Sequence, residues 1–485
     1  MIKSIPHEVQ NVSLQLEKAG YTAYLVGGCV RDLIMNREPK DWDLTTNATP
    51  EQILDVFPDS FYENNFGTVG VKTRSDKPQT AVVEVTPYRV EGTYSDNRHP
   101  DTVSFGQKLE EDMERRDFTL NAMAYSVSRE TLIDVFQGQD AIRNRVIQSV
   151  GEANTRFQED ALRMIRAIRF SAELDFAMSH EVLTAISANK ELLKNVSRER
   201  VRDEFVKILM SPNPMMAMTI IEKLDILHII SPVFRETVGV EQNKKAHKYT
   251  VWEHLLRSMQ HAADKGYPLE VRIAALFHDI AKPRTKEEKG GKTSFYNHEV
   301  VGATLTKEIL EDLNFSRETI KSVIKFVRWH MFFSDTEEIT LSAVRRLIAK
   351  VGKDRIWDLI NLRICDRIGS GRPKEEPYRL RKFKAMIDEV IEDPVSVGML
   401  KINGGTLIQE LHVKPGREIG YVLHALLEEV IEDPRINTHE ILLARAKELL
   451  DLPISKLQKL GEAGKTRLDD KEDERIRQIH NKNNV

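Results

Sequence analysis

The sequence contains little cysteine and no long apolar run. Its 485 residues include only two cysteines, Cys29 and Cys365, which are far apart. A disulfide framework is therefore not expected, and neither cysteine belongs to a metal-binding Cys pair. No apolar run reaches the roughly 18 residues of a membrane span, and the first 20 residues lack the apolar core of a signal peptide. These absences argue against a secreted disulfide scaffold and a membrane protein, and they predict a cytoplasmic protein.

Excess positive charge is also missing. The chain has 71 Lys and Arg against 75 Asp and Glu, a net charge of −4, so any nucleic-acid surface must be local. One basic stretch fits, and its eight cationic residues are Arg363, Arg367, Arg372, Lys374, Arg379, Arg381, Lys382 and Lys384. This pattern is typical of a surface for backbone phosphates, and also of a simple solvated helix face.

The residues that are present predict an α+β protein in several parts. A chain of this length, with 41% hydrophobic and 30% charged residues, is too long for one ordinary core. Strand patterns occur only early, whereas residues from 153 onward show helical period. The sequence therefore predicts a head with a mixed sheet and helices on one face, followed by an all-α body. The predicted strands are 21–26, 41–44, 69–73, 81–86 and 132–136, and the predicted helices include 7–19, 29–35, 159–174, 198–210 and 214–227. The predicted parts are 1–148, 149–240, 241–372 and 373–485.

A pair of glycines separates the first predicted strand from the helix after it. Gly27 and Gly28 have no Cβ atoms, so backbone N–H groups can approach a phosphate at the helix N-terminus. Arg31 can add a fork of donors. Many such turns only reverse the chain, so this motif alone leaves both interpretations open.

Two aspartates follow at a spacing that suits a metal. On a strand, Asp41 and Asp43 point to the same face, where they repel each other unless a cation lies between them. Mg²⁺ is bound by one or two carboxylates together with substrate phosphates, and two-metal phosphoryl transfer needs such a pair. Glu84 interrupts an apolar strand and is the candidate for a third carboxylate, although it could equally be an outward-facing strand residue.

The order of motifs along residues 25–210 resembles one superfamily. The motifs are 27–32 (GGCVRD), 41–43 (DWD), 115–123 (RRDFTLNAM), 134–140 (DVFQGQD), 159–170 (EDALRMIRAIRF) and 199–204 (ERVRDE). Together they resemble the DNA polymerase β nucleotidyltransferases. More narrowly, the chain is similar to the class II bacterial tRNA nucleotidyltransferases, or CCA-adding enzymes, and their poly(A) polymerase relatives.

This resemblance implies roles for individual residues. Asp41 and Asp43, with Glu84, would hold two Mg²⁺ ions and be catalytic. Residues implied to bind the nucleotide are Gly28, Arg31, Arg116, Asp117, Asn121, Asp160, Arg163, Arg166 and Arg169. Asp160 and Arg163 can accept from and donate to a base, so that the pair imitates a Watson–Crick edge and selects CTP or ATP. The other interpretation of the 160–169 helix is a basic amphipathic helix with i,i+3 ion pairs.

Histidines and aspartates recur in the middle of the chain. His254, His278, Asp279 and Asp366 resemble the ligand set of the HD phosphohydrolase superfamily, which implies a transition-metal ion such as Ni, Mn or Zn. Such a domain can act as a phosphatase or 2′,3′-cyclic phosphodiesterase on RNA ends, or it can be retained without hydrolysis. His298 and His330 are candidates for a second metal or for a substrate phosphate.

Two further segments bear on the substrate. Residues 88–106 resemble the flexible loop with which full CCA-adding enzymes switch from CTP to ATP. The region after Asp43 lacks the arginine-rich run of poly(A) polymerases. Residues 394–434 resemble the helical tail of such enzymes, which implies contact with the tRNA elbow.

The predicted function is template-independent addition of CCA to the tRNA 3′ end from CTP and ATP. The expected partners are tRNA and the two nucleotides, without a membrane. Three alternatives stay open: an enzyme that adds only the terminal A, a metal phosphohydrolase whose head senses nucleotides, and a non-catalytic RNA-binding protein.

Overall fold

The computed structural model describes residues 5–62, 67–91, 103–242, 248–289, 292–332 and 339–466. The chain divides into two compact units, Met1–Ile230 and Ser231–Val485. None of the helices described is both long enough and apolar enough to cross a membrane.

The first unit is built on a mixed sheet, as predicted. Its order is β3-β4-β5-β2-β1-β8-β9, with β2 and β5 parallel and the other neighbouring pairs antiparallel. A separate antiparallel pair joins β6 to β7. The strands are β1 Ala23–Val26, β2 Asp43–Thr46, β3 Ser60–Tyr62, β4 Val69–Lys72, β5 Val82–Pro87, β6 Arg89–Glu91, β7 Val103–Phe105, β8 Ala124–Ser126 and β9 Thr131–Ile133.

Helices lie against both faces of this sheet. They are α1 His7–Lys18, α2 Gly28–Ile34, α3 Pro50–Val56, α4 Pro78–Ala81, α5 Leu109–Glu114 and α6 Gly138–Arg143. Val9, Val12 and Leu16 recur at helical spacing on α1 and join Leu25 and Leu44 in the main core. Residues of α5 pack in a smaller cluster with Val26 and Ala124, whose side chains alternate with those of the main core. The second face is thus partly covered, which the prediction of helices on one face did not include.

A helical segment completes the first unit. It contains α7 Ala153–Glu159, α8 Leu162–Leu174, α9 His180–Asn189, α10 Arg198–Met210 and α11 Pro214–Lys223. Short strands β10 Val146–Ile147 and β11 Ala177–Met178 pair in parallel. The prediction of one helix over 159–174 was wrong, because the chain leaves helical geometry at Asp160 (φ −140°). The Asp160 carboxylate accepts from the Leu162 backbone N–H, and such local bonds compete with a continuous helix.

Among its described residues, the second unit is helical apart from one hairpin. Its helices are α12 Val233–Thr237, α13 Val251–Asp264, α14 Leu269–Phe277, α15 His298–Asp312, α16 Arg317–Trp329, α17 Leu341–Val351, α18 Ile356–Gly369, α19 Tyr378–Val390, α20 Gly404–Glu410, α21 Arg417–Glu432, α22 His439–Leu450 and α23 Ile454–Thr466. The hairpin pairs β12 Lys286–Lys289 with β13 Lys292–Phe295. The predicted all-α body therefore contains strands at two places, this hairpin and β11. Both strands of the hairpin are rich in charge, so they lack the apolar alternation that identifies a half-buried strand.

Short 3₁₀ helices connect several of these elements. They are Thr119–Asn121, Lys190–Asn195, Leu227–Ile229, Lys282–Thr285, Val397–Met399 and Pro434–Ile436.

Helices α13 and α18 approach each other most closely at Gly369. A Cβ atom added there would overlap Ser258 Oγ and lie 2.9 Å from the carbonyl oxygen of His254. The pair therefore depends on a residue without a side chain. This contact also fixes the distance between His254 on α13 and Asp366 on α18.

We expect Gly369→Ala to lower the free energy of unfolding of the second unit by about 1–3 kcal/mol, since overpacking displaces the two helices. Gly420→Ala is the matched control, because no atom lies within 4 Å of a Cβ added at Gly420. That helical substitution should instead stabilise by roughly 0.5–1 kcal/mol. Urea denaturation of both variants measures the difference, and equal effects would contradict the close contact.

Candidate active site and metal centre

The glycine turn of the head brings a cation and a carboxylate together. Gly27 has φ +74°, a conformation that favours glycine. A Cβ atom there would lie 3.2 Å from Arg116 Nη1 and 3.6 Å from Asp43 Oδ2. Arg116 and Asp43 therefore both approach the position that a side chain at residue 27 would occupy.

Asp43 and Glu84 face the same side of the sheet. They are direct partners in the parallel register of β2 and β5, while their neighbours Leu44 and Val85 are buried in the main core. Side chains alternate along a strand, so both carboxylates point away from that core. Asp41 lies in a bend before β2, which corrects the predicted strand 41–44. The buried Trp42 anchors the bend.

Three negative charges affect one another at this position. The pKa of Asp43 is raised to about 7, first by burial and then by the charges of Asp41 and Glu84, while Arg116 opposes the rise. The donors are all carboxylate oxygens, which is the chemistry that Mg²⁺ prefers. A divalent cation would remove the repulsion, so the residues present fit such an ion.

Arg31 is held by one polar partner on α2 and by another in the RRDFTLNAM motif. Its Nε atom donates to Asp32 Oδ1 at 2.8 Å, and its Nη1 atom donates to Asn121 Oδ1 at 2.9 Å. Arg31 and Asn121 are both buried. The structure therefore brings these two predicted nucleotide-binding residues together.

Asp112 fixes the cations beside the carboxylates. It is fully buried and accepts from Arg115 Nη2 at 2.6 Å and from Arg116 Nη2 at 3.1 Å. Burial alone would raise the pKa of Asp112, but these two guanidinium groups lower it. The sequence analysis did not select this residue, although its i,i+3 and i,i+4 spacing to two arginines on a short helix was a usable signal.

The proposed base-reading residues are each held by another side chain. Arg200 donates to both Asp160 oxygens, at 3.2 and 2.7 Å. Arg163 Nη1 donates to Glu159 Oε2 at 2.6 Å, and its Nη2 donates to the carbonyl oxygen of Arg115 at 3.0 Å. The roles of Arg200 and Glu159 were not predicted, because a sequence motif does not state which of its charges pair.

The other predicted arginines of α8 lie in an ion-pair network. Arg166 contacts Asp117 Oδ2 at 2.6 Å, and Arg169 contacts Glu204 Oε2 at 2.6 Å. Burial alone would raise the pKa of Asp117, but Arg166 holds it below its usual value. In this conformation both arginines position neighbouring elements, so any contact with a nucleotide would be shared with these carboxylates.

The raised pKa of Asp43 predicts a pH-dependent stability. Its ordinary pKa is 3.8 and its folded value is about 7, so the folded metal-free protein loses stability as pH rises from about 4 through 7. In EDTA, Asp43→Asn should therefore unfold at a higher temperature than the parent at pH 8. We expect a gap on the order of 2–4 °C, with a smaller gap at pH 5. Thermal unfolding followed by circular dichroism measures it. Asp55→Asn, at an exposed position on α3, should show no such pH dependence.

Six buried side chains form a second cluster in the other unit, which we term the His-Asp centre. Two groups of possible ligands make it up. The first is His254, His278 and Asp366, and the second is Asp279, His298 and His330. Within each group the ligand atoms lie within 4.8 Å of one another. The four predicted ligands are thus brought together, and His298 and His330 join them.

Asp279 lies between the two groups. Its Oδ2 atom is 3.1 Å from His254 Nε2 and 3.4 Å from His278 Nε2. Its Oδ1 atom is 3.1 Å from His298 Nε2 and 3.6 Å from His330 Nε2. One carboxylate therefore presents one oxygen to each group, an arrangement that suits two bridged metal ions.

Backbone carbonyls orient three of the imidazoles. The Nδ1 atoms of His278, His298 and His330 lie 3.0, 2.7 and 2.7 Å from carbonyl oxygens. A carbonyl can only accept, so Nδ1 carries the proton and Nε2 presents its lone pair to the centre. This donor set of neutral imidazoles and carboxylates fits a first-row transition-metal ion.

A buried lysine also contacts the centre. Lys282 Nζ lies 2.6 Å from Asp279 Oδ2 and donates to Gln242 Oε1 at 2.7 Å. Burial alone would raise the pKa of Asp279, but Lys282 and His278 hold it well below its usual range. Asp279 is therefore ionised and ready to bind a cation.

The chain is similar to known proteins along most of its length. Four family models match in order: "Poly A polymerase head domain" over 23–148, "RNA and SrmB- binding site of polymerase A" over 175–237, "HD domain" over 251–369, and "tRNA nucleotidyltransferase domain 2" over 378–446. The CCA-adding enzyme of Ligilactobacillus salivarius is 32% identical over 463 residues, which cover 93% of this chain and 99% of that enzyme. The CCA-adding enzyme of Geobacillus thermodenitrificans is 45% identical over 199 residues, 41% of this chain and 48% of that enzyme.

A solved structure agrees with these relatives. The Bacillus stearothermophilus CCA-adding enzyme, in complex with CTP, superposes with a TM-score of 0.69 and 26% identity, over 91% of this chain and 96% of that one. Similarity that covers a full-length relative, in sequence and in fold, identifies a common family. This chain therefore belongs to the family of bacterial class II CCA-adding enzymes.

Proposed function

We propose that this protein adds CCA to the 3′ end of tRNA, using CTP and ATP and no nucleic-acid template. The observation that carries the proposal is the placement of Asp43 opposite Glu84 and beside Arg116 at the Gly27 turn. The family membership supports it, because relatives over the whole chain are CCA-adding enzymes. A reaction on tRNA also favours a cytoplasmic location. The division at residues 148, 240 and 372 stays a prediction.

In this proposal Asp41, Asp43 and Glu84 hold divalent cations, with Mg²⁺ as the expected ion. Such ions, when bound, neutralise a triphosphate and favour deprotonation of the RNA 3′-hydroxyl. The chain's own contribution is position and charge. Arg116 lies beside the carboxylates and supplies positive charge for the phosphates, and Gly28 lets the backbone approach them.

Base selection would depend on two held side chains. The Asp160 carboxylate accepts from an exocyclic amine, and the Arg163 guanidinium donates to ring acceptors. Arg200 and Glu159 reduce the freedom of these groups by the contacts described above. A rigid pair binds a matching base more tightly than a mobile one, since less conformational entropy is lost on binding. Residues 88–106, predicted to help in the switch from CTP to ATP, lie mostly outside the described residues.

Addition to three tRNA ends tests the proposal. Purified protein with Mg²⁺ receives tRNA lacking CCA, tRNA ending in C, or tRNA ending in CC, each with CTP alone or ATP alone. CTP should be used on the first two ends and ATP on the third. Use of ATP only, on the CC end only, would make the protein an A-adding enzyme and would overturn the proposal of full CCA addition.

A second activity is favoured by the His-Asp centre. We propose that it hydrolyses phosphate esters at RNA ends, such as a 3′-phosphate or a 2′,3′-cyclic phosphate. The observation that carries this is Asp279, which offers one oxygen to each ligand group. In the cyclic case, the oxygen of water bonds to phosphorus, one ring P–O bond breaks, and the leaving oxygen takes a proton. Ni, Mn or Zn suit these ligands, and Lys282 supplies a positive charge within reach of a phosphate.

Two assays measure this activity with each metal. One follows the release of inorganic phosphate from an RNA 3′-phosphate, and the other follows the ring opening of a 2′,3′-cyclic phosphate. A protein that binds the metal but hydrolyses neither ester would overturn the second proposal and leave the first unaffected.

A further inference from the structure

A row of cations begins beside the His-Asp centre. Arg363 lies one turn before Asp366 on α18, and its Nη1 atom donates to Asp366 Oδ2 at 2.7 Å. Arg367 follows one turn after Arg363 and donates to the carbonyl oxygen of Lys374 at 2.6 Å. Arg372 is exposed in the same connection between α18 and α19. We term Arg363, Arg367, Arg372 and Lys374 the basic strip.

The acids of this connection do not neutralise the basic strip. Glu375 pairs with Lys265 at 2.8 Å, and Glu376 pairs with Lys384 at 2.7 Å. Across the part of the chain that the structure describes, no carboxylate lies within ion-pair distance of Arg367, Arg372 or Lys374.

The cations of the basic strip also repel one another. Among the described residues only Arg363 of the basic strip has a carboxylate partner, Asp366. The repulsion among the other cations is a cost to the folded protein, and a polyanion would remove it.

An exposed aromatic ring continues the basic strip. Tyr378 begins α19 and is 66% exposed, and Arg381 fastens this first turn by donating to the Glu376 carbonyl oxygen at 2.8 Å. Such a ring can stack on a base, and stacking beside cations is typical of surfaces that bind single-stranded nucleic acid. Within a duplex, neighbouring base pairs cover both faces of a base, whereas a base of a single strand can turn toward Tyr378.

We propose that the basic strip and Tyr378 bind the single-stranded 3′ segment of an RNA and lead its terminal phosphate to the His-Asp centre. This inference rests on the second proposed activity and names its substrate as a polynucleotide rather than a free nucleotide. The length of the basic strip favours a polynucleotide. Arg363 and Arg367 are one helical turn apart, roughly 5.4 Å, and the remaining cations lie further from Asp366 along the chain. A mononucleotide at the centre would leave Arg372, Lys374 and Tyr378 without a function.

The test compares small and large substrates in the full-length, metal-loaded protein. The variant is Arg367→Gln with Arg372→Gln, and Arg317→Gln, at an exposed position on α16, is the matched control. Each is given a free nucleoside 2′,3′-cyclic phosphate and a short single-stranded RNA that ends in the same group. The double variant should raise KM for the RNA about tenfold and leave the free nucleotide unchanged. Equal effects on both substrates, or none, would overturn the inference.

Binding of RNA without turnover provides a second readout. The dependence of log Kd on log salt should fall by about 1.4 in the double variant, or roughly 0.7 for each lost phosphate contact on a single strand. Tyr378→Ala should weaken binding about tenfold, whereas Tyr378→Phe should bind like the parent. A duplex RNA that binds as tightly as the single strand would contradict the proposal.

These readouts separate the two ideas. If the parent protein hydrolyses neither substrate, the proposed hydrolytic activity is refuted. The RNA-binding measurements still test whether the basic strip binds single-stranded RNA. A decrease of about 1.4 in the slope of log Kd against log salt in the double variant then supports RNA binding by the basic strip. An unchanged slope overturns it.

Discussion

Asp43→Asn should reduce nucleotide addition by on the order of 10³-fold or more, because it removes a ligand that both metal binding and charge neutralisation require. Asp43 lies opposite Glu84, and its pKa is raised to about 7 by burial and then by the charges of Asp41 and Glu84. Asparagine keeps the shape of the side chain, but it replaces one carboxylate oxygen by an NH2 donor and cannot supply the charge. Incorporation of radiolabelled CTP into tRNA lacking CCA, at saturating Mg²⁺, measures the loss.

The control for this experiment is Asp55→Asn. Asp55 is exposed on α3 of the same unit, so the same chemical change there should leave the rate within about twofold. Circular dichroism and thermal unfolding must show that Asp43→Asn is folded. A folded Asp43→Asn protein with normal turnover would refute the assignment of this carboxylate as a metal ligand.

Asp279→Asn should remove both metal ions of the His-Asp centre. Asp279 is the residue that faces both ligand groups. In asparagine the amide nitrogen cannot coordinate the ion on one side, and the neutral amide oxygen on the other side no longer supplies a negative charge. We expect about two metal ions per chain in the parent, one for each group, and fewer than about 0.2 in the variant. Inductively coupled plasma mass spectrometry after dialysis measures the content.

His330→Gln is the informative comparison, since His330 belongs to one group only. It should lose about one ion and keep the other. Equal metal content in Asp279→Asn and His330→Gln would contradict the bridging role. Addition of CCA should be unaffected in both, because it is proposed to use the head carboxylates.

The head could be anticipated because its chemistry lies in short continuous motifs. Gly27 and Gly28 at a strand end, and carboxylates two residues apart, are local signals. The mixed sheet followed from the β-branched runs that became β4 and β5. The pairing of β2 with β5 was not predictable from either strand alone, although it is what places Glu84 beside Asp43.

Pairs between distant charges could not be read from the sequence. Arg200 holds Asp160 across 40 positions, and Arg166 holds Asp117 across 49. Nothing in the local pattern selects these partners over the other charges nearby. The break at Asp160 was missed for the same reason, since helical period continues through it while a side-chain bond ends the helix.

The His-Asp centre illustrates an intermediate case. The adjacent His278 and Asp279 are a strong local signal, whereas His298 and His330 are isolated histidines on separate helices. Only the packing of α15 against α16, and of α16 against α14, brings their Nε2 atoms to the second oxygen of Asp279.

The most direct test of the central claim is the sequence added to tRNA lacking CCA when CTP and ATP are both in excess. The products are read at single-nucleotide resolution after reaction with the purified protein and Mg²⁺. The account predicts C, C and A in that order and then a stop. A tail of many adenosines, or no addition at all, would contradict it.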